Sequence, residues 1–154
     1  MVNGYYEERA SIIEQENEDI SFDFMANDDI GGALDNSKYN LHDCLHGYCD
    51  IFAAVLHEIF GYKIEYLYGP DGGLVHSYAI ATDKDKQTTY YIDVRGICDD
   101  WDTFIEEFDD WIESHDRSEL DIRLYNIVEH GNEQKSIAEF CKKAIMLQKS
   151  YYKI

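Results

Sequence analysis

Residues 47–62 read GYCDIFAAVLHEIFGY, and they predict a helix at the centre of the molecule. The side chains from Ile51 to Phe60 are apolar almost all round a helical wheel, which is typical of a buried helix. Gly61 supplies a C-terminal stop, so we expect the helix to cover residues 49–60. Cys49 then lies at the helix start.

Two later stretches predict β-strands that run antiparallel to each other. They read GGLVHSYAIAT (72–82) and TTYYIDVRG (88–96), and both are rich in β-branched and aromatic residues. The polar residues 83–86 between them lack the glycine of a two-residue turn, which predicts a four-residue loop. A histidine therefore lies inside one strand and an aspartate in the next.

The predicted pairing of these strands brings His76 and Asp93 together. Symmetric pairing about the loop sets Thr82 opposite Gln87 and His76 opposite Asp93. Directly opposed residues share one face of a sheet, with Cβ atoms about 5 Å apart. A slip of one residue would send one of the two side chains to the other face.

Cys49, His76 and Asp93 are a thiol, an imidazole and a carboxylate in chain order. These are the parts of a thiol nucleophile, its base and the group that orients the base. Unpaired N–H groups and the helix dipole at the start of the helix favour a thiolate and can hold an oxyanion. The carboxylate of Asp50 opposes this effect. The sequence therefore predicts a catalytic, or formerly catalytic, triad.

Each of the three residues also has a purely structural interpretation. Cysteine is among the most buried residue types, so Cys49 can be an inert core residue. A strand histidine that shares its face with apolar side chains, as His76 does, is often a packing residue. Asp93 is followed by Arg95 and Gly96, which is consistent with an ion pair or a turn.

A second pattern of potential ligands overlaps the first. The zinc-ligand types in it are His42, Cys44, His46 and Cys49, with His57 further along the helix. The spacing H-x-C-x-H-x-x-C is not a standard zinc-finger or ribbon pattern, and no second CxxC closes a site. We therefore expect no metal site, and interpret these residues as a polar approach to the helix.

The chain contains, in order, G-x-C, an apolar helix, a Gly, a strand with V-H and a next strand ending I-D-V. This order resembles the transglutaminase-like branch of the papain-fold thiol enzymes. Arylamine N-acetyltransferases and many bacterial and phage proteins share this Cys–His–Asp order. The resemblance covers about residues 44–97 and implies catalytic roles for Cys49, His76 and Asp93. Two features depart from the family pattern: Ser77-Tyr78 replaces the Trp often found after the His, and Asp50 follows the Cys.

Papain-like enzymes also use an upstream polar residue at the oxyanion. The pattern does not place it, and the candidates are Asn40, His46 and Tyr48.

Composition predicts one globular domain over residues 1–154. Its expected parts are an acidic N-terminal helix and loop (1–43), a thiol-enzyme-like core (44–97) and a helix–strand–helix unit (98–154). The first residues show no signal-peptide pattern, and no apolar run approaches membrane-spanning length. Four cysteines without regular spacing indicate free thiols, so we expect a cytoplasmic protein that does not bind membranes.

The net charge is −19, from 13 basic and 32 acidic residues. Such a chain is repelled by nucleic acids and attracted to basic surfaces. Residues 99–116 contain nine of the carboxylates. The candidates for an acidic partner-binding face are Asp99, Asp102, Glu106, Asp109 and Asp110. The alternative function is therefore an acidic binding protein, for instance a phage- or mobile-element-encoded nucleic-acid mimic that inhibits a host nucleic-acid enzyme, with a vestigial triad.

The predicted fold class is α+β, with a small antiparallel sheet, a central buried helix and flanking helices on one side. The expected elements are helices at 5–18, 49–60, 101–113 and from Asn132, and strands at 63–68, 74–82, 87–94 and about 120–128. An irregular acidic stretch is expected at 20–43. The predicted function is a cysteine-dependent hydrolase or acyl transferase acting on an amide of a protein or peptide, as a protease, deamidase or transglutaminase-like enzyme that requires no metal or organic cofactor.

Overall fold

The computed structural model describes residues 6, 8–11, 13, 40–69, 74–108, 117–119 and 132–154. Within these residues the helices are α1 (Asp43–His46), α2 (Cys49–Phe60), α3 (Trp101–Ile105) and α4 (Asn132–Leu147). Single 3-10 turns follow α3 at Glu106–Phe108 and α4 at Lys149–Tyr151. Residues 6, 8–11 and 13 are helical, and we call them the N-terminal helix.

The strands form one antiparallel sheet. They are β1 (Lys63–Tyr68), β2 (Leu74–Asp83), β3 (Thr88–Asp93), β4 (Gly96–Cys98) and β5 (Arg117–Glu119). Their order across the sheet is β4-β3-β2-β1-β5, so β2 is the central strand. Helices together with an antiparallel sheet make the protein α+β, as predicted.

Several predicted elements are confirmed at their predicted positions. Helix α2 and strand β1 have the predicted bounds, and Gly61 ends α2 with a left-handed φ of 75°. Asp100 is the N-cap of α3. The residues of α4 expected on one apolar face are buried: Ile137, Phe140, Cys141, Ala144 and Ile145.

Other predictions on these elements need correction. The helix expected at 101–113 is α-helical only to Ile105 before the 3-10 turn begins. Strand β4 was not predicted. Gly96 allows the sharp reversal from β3 into β4, because its φ of 115° strains any residue with a Cβ atom. The strand expected at about 120–128, and residues 14–39 of the N-terminal acidic region, lie outside the described residues.

Helices cover both faces of the sheet, which corrects the expectation that they lie on one side. Four consecutive residues of β2, 76–79, are 0% exposed, so neither face of the strand meets solvent. On one face Phe104 packs against Tyr78 with ring centroids 5.0 Å apart. On the other, Ala53 and Ala54 of α2 pack with Ile64. The near-continuous apolar run of β2 is typical of a strand covered on both faces.

The register of the β2–β3 hairpin differs from the predicted one by two residues. Thr82 pairs with Thr89, not with Gln87. The loop moves one position along the chain because the carboxylate of Asp83 accepts hydrogen bonds from the N–H groups of Asp85 (3.0 Å) and Lys86 (3.3 Å). Gln87 closes the turn with a φ of 53°.

A shift of two residues preserves the face of each side chain, because side chains alternate with a period of two along a strand. Continuing the observed register sets Asp93 opposite Tyr78, so His76 is its diagonal neighbour on the same face. The predicted direct pairing of His76 with Asp93 is therefore wrong, whereas the predicted shared face is correct.

Both ends of the chain pack into the core of the described residues. Tyr6 and Ile13 from the N-terminal helix and Tyr152 near the C-terminus belong to its main cluster. None of the described helices is long and apolar enough to cross a membrane.

Candidate functional site

The predicted contact between His76 and Asp93 is present. His76 Nε2 and Asp93 Oδ2 are 2.8 Å apart, and the two residues are 0% and 2% exposed. An ionised carboxylate only accepts hydrogen bonds, so Nε2 of His76 is the protonated ring nitrogen and donates a hydrogen bond to Asp93. Nδ1 of the neutral ring is then the acceptor nitrogen.

Arg95 binds the same carboxylate. Its Nε lies 3.1 Å from both oxygens of Asp93, its Nη2 lies 2.7 Å from Oδ2, and its backbone N–H donates to Oδ1 at 2.8 Å. Burial alone would raise the pKa of the Asp93 carboxyl, but the Arg95 guanidinium and then the His76 contact outweigh it and hold that pKa below its usual range. Asp93 is therefore ionised in the folded protein.

The imidazole of His76 lies in an aromatic environment. Its ring stacks on Phe108 with centroids 4.2 Å apart and an interplanar angle of 21°. Burial lowers the pKa of His76, and although the contact with Asp93 raises it, the net shift is downward. Nδ1 is buried and has no hydrogen-bond partner among the described residues. The resting imidazole is therefore neutral, with a free acceptor nitrogen.

Cys49 is the first residue of α2 and is 6% exposed. Its Sγ accepts a hydrogen bond from the backbone N–H of Ser77, at 3.4 Å, so the thiol lies against the backbone of β2 at the residue after His76. The imidazole of His76 lies on the face of β2 covered by Phe108, opposite to the face on which Ala53 and Ala54 of α2 pack. Burial raises the pKa of Cys49 to about 12, although the N–H groups of Ser77 and Asp50 lower it. The carboxylate of Asp50 raises it further, as predicted. Burial thus outweighs the helix start, and the resting thiol is protonated.

The oxyanion candidates have other contacts. Asn40 is joined to Asp43 by two hydrogen bonds at the start of α1: Asp43 N–H donates to Asn40 Oδ1 at 2.9 Å, and Asn40 N–H donates to Asp43 Oδ2 at 3.0 Å. His46 Nε2 lies 2.9 Å from Glu107 Oε1. Tyr48 is the N-cap residue of α2 and is half-buried. Their role at an oxyanion stays a prediction.

The remaining cysteines are all free and buried. Cys44 belongs to α1 and its Sγ lies 3.6 Å from that of Cys141 on α4. Cys98 belongs to β4. Among the described residues, which include all five candidate ligands, no three His, Cys, Asp or Glu side chains are placed to hold a metal ion. The pattern of potential zinc ligands does not converge in space.

The proposed acidic face is described in part. Asp102 and Glu106 are exposed, while Asp99 is half-buried. Asp109 and Asp110 lie outside the described residues.

No protein-family model, curated protein or solved structure matches this chain.

Sequence reasoning missed two residues of this site. The sequence predicts Arg95 only as an ion-pair partner of Asp93, and it gives no role at the site to Phe108. The signal for Arg95 is its place two residues after Asp93 and next to Gly96, which brings its backbone N–H and its guanidinium to the carboxylate at the turn after β3. The stacking of Phe108 on His76 had no such signal, since it depends on how α3 crosses the sheet.

Proposed function

We propose that the protein is a thiol hydrolase or acyl transferase that acts on an amide of a protein or peptide. The observation that carries the proposal is the state of His76. Nε2 is bound to a carboxylate, Nδ1 is free among the described residues, and the adjacent backbone N–H holds the thiol of Cys49. A neutral imidazole with a free nitrogen has the properties of a general base for a sulfur nucleophile once the two side chains are brought into contact.

The proposed reaction begins with proton transfer from Cys49 Sγ to His76 Nδ1 as the sulfur attacks the amide carbonyl. The carbonyl π electrons move onto oxygen, and the resulting oxyanion is adjacent to the N–H groups at the start of α2. Collapse of this intermediate breaks the C–N bond, and the imidazolium returns the proton to the leaving amine. Water, or a second amine, then cleaves the thioester with His76 as base again. Asp93 orients the imidazole throughout and stays ionised.

The closed geometry of the site favours an opening step before catalysis. Cys49, His76 and Asp93 are 6%, 0% and 2% exposed. A substrate carbonyl must reach Sγ, so some covering element has to move for the reaction to occur. The resting site is protected from solvent and from oxidation of the thiol.

Alkylation of the thiols tests this proposal. After brief treatment with iodoacetamide and mapping by mass spectrometry, we expect Cys49 to react first. We also expect His76→Gln to slow its alkylation by about a hundredfold, within the range for loss of a general base. The matched control is His57→Gln at the far end of α2, where His57 Nδ1 contacts Tyr62 O. First reaction at Cys44, Cys98 or Cys141, or an unchanged rate in His76→Gln, would contradict the proposal.

A second candidate function is binding of a basic protein surface, with the triad vestigial. Two observations favour it: the net charge of −19 and the sealed state of the three residues. On this hypothesis Cys49→Ala leaves the biological effect unchanged, whereas Asp102→Lys with Glu106→Lys weakens binding to a basic partner, as added salt does. On the thiol-enzyme hypothesis Cys49→Ala abolishes the effect while the fold remains, and the charge reversals leave it intact.

A further inference from the structure

The side chain of Arg95 is a buried cation that donates hydrogen bonds from Nε and Nη2. It is 3% exposed, binds both oxygens of Asp93 and donates from Nη2 to the carbonyl oxygen of Phe104 at 3.1 Å. A bidentate contact of this kind restricts the rotation of a carboxylate. With the backbone N–H of Arg95 also on Oδ1, the Asp93 carboxylate is held in one orientation.

Aromatic rings hold the guanidinium in place. Its central carbon lies 5.0 Å from the ring centroid of Tyr6, 4.7 Å from that of Phe104 and 5.4 Å from that of Phe108. These distances are within the range of cation–π contacts. Phe108 also stacks on His76, so one ring contacts both the cation and the imidazole.

We propose that Arg95 is a positioning residue of the site, which fixes the Asp93 carboxylate so that His76 is held with Nε2 protonated and Nδ1 free, and whose charge adds to burial in disfavouring a second positive charge on the imidazole. The inference rests on the proposed function and deepens it. Proton transfer then occurs when the thiol attacks, and the protein does not store a thiolate–imidazolium ion pair. A guanidinium close to the imidazole disfavours a second positive charge there.

The other titratable groups around the imidazole do not replace Arg95. They are Asp93 of β3, Tyr78 of β2, and His46 of α1 with its partner Glu107, while Tyr6 of the N-terminal helix lies against Arg95. His46 disfavours the imidazolium as Arg95 does, but the pair it forms with Glu107 is partly exposed to solvent.

Two substitutions separate the charge of Arg95 from its geometry. Arg95→Lys keeps the charge and loses the bidentate fork. Arg95→Met removes both. The matched control is Arg9→Lys, because Arg9 is also buried, at 5%, and binds Gln148 and Tyr152 in place of Asp93. The readouts are the ¹⁵N chemical shifts of the His76 ring nitrogens over a pH series, assigned with His76→Gln, and the alkylation rate of Cys49.

We expect wild-type His76 to show the Nε2-protonated tautomer. Arg95→Lys should mix the two tautomers and slow Cys49 alkylation by about tenfold or more, because a small loss of orientation costs at least that much. Arg95→Met should raise the pKa of His76. Arg9→Lys should change neither readout.

The inference would be overturned if Arg95→Lys kept both the His76 tautomer and the Cys49 alkylation rate of the wild type. An unchanged pKa of His76 in folded Arg95→Met would overturn it as well. If Arg95→Met does not fold, the lysine variant decides. A wild-type Cys49 that reacts no faster than an unactivated thiol would instead refute the proposed function, while the ¹⁵N shifts still report on Arg95.

Discussion

Arg95, Asp93 and His76 form a buried group that contains an ion pair, and removing these charges from water costs free energy. Desolvating an ion pair is expensive, and the pair is retained in a fold only when its hydrogen bonds are nearly complete. Here both carboxylate oxygens of Asp93 are bound, and the guanidinium has a carbonyl and three rings around it. The group therefore acts as a rigid unit, in which one change is felt by all three side chains.

At the residue scale, we predict a pH dependence of stability that originates from His76. Its pKa is lowered in the folded state, so below about pH 6.5 the unfolded chain binds a proton that the folded protein does not. Stability therefore falls as pH drops from about 7 to about 5, by at most about 1.4 kcal/mol per pH unit from this group. Asp93 does not contribute in this range, because its pKa is held below its usual value.

Urea unfolding of the wild type and of His76→Gln at several pH values checks this prediction. We expect the variant to have a flatter dependence of unfolding free energy on pH, because it lacks the group that titrates only in the unfolded state. Equal slopes in the two proteins would show that burial of His76 does not control the acid sensitivity.

At the scale of single elements, helix α2 has ends set by local chemistry. Cys49 begins it, and Gly61 closes it with a φ of 75° while its N–H donates to His57 O at 2.8 Å. A Cβ atom at Gly61 would meet nothing within 4 Å. The conformation, and not a lack of space, is therefore what requires glycine there.

We predict that Gly61→Ala lowers the free energy of unfolding by about 1 kcal/mol, the cost of a left-handed conformation for a residue with a Cβ atom. Gly61→Asn should cost less, because asparagine tolerates this conformation. Urea denaturation of both variants measures the difference. An alanine variant as stable as the asparagine variant would mean that the helix end rearranges.

At the scale of the whole molecule, Arg9 and Tyr152 join distant parts of the chain. Tyr152 Oη donates to Val94 O at 3.0 Å and accepts from Arg9 Nη2 at 2.9 Å. These bonds connect the N-terminal helix, the β3–β4 turn and the C-terminal residues.

We predict that Tyr152→Phe lowers the free energy of unfolding by about 1–3 kcal/mol, since it leaves Nη2 of the buried Arg9 without its acceptor and removes one of the two hydrogen bonds that Val94 O accepts. Tyr151→Phe is the matched control, because Tyr151 is only half-buried. Thermal and urea unfolding of the two variants test this. Equal losses in both would argue against a special role of Tyr152.

The features that depend on local chemistry could be predicted from the sequence. Helix α2 could be predicted with its bounds, because apolar periodicity and a terminal glycine are local signals. The shared face of His76 and Asp93 could also be predicted, although the register could not. Side chains alternate between the two faces of a strand, so an error of two residues in the register leaves each side chain on its predicted face. The register itself depends on the position of the loop, which is set by the hydrogen bond that the Asp83 carboxylate accepts in the turn.

The charge states of the side chains at the site depend on how distant segments pack together. Arg95 and Phe108 reach His76 because α3 and its following turn cross the face of the sheet on which His76 lies. Burial then overrides the helix-start effect on Cys49 and keeps both thiol and imidazole neutral. Desolvation depends on every segment that covers a group, and those segments are far apart in the chain. For this reason the pattern of residues predicted the parts of the triad, but their charge states followed from the packed fold.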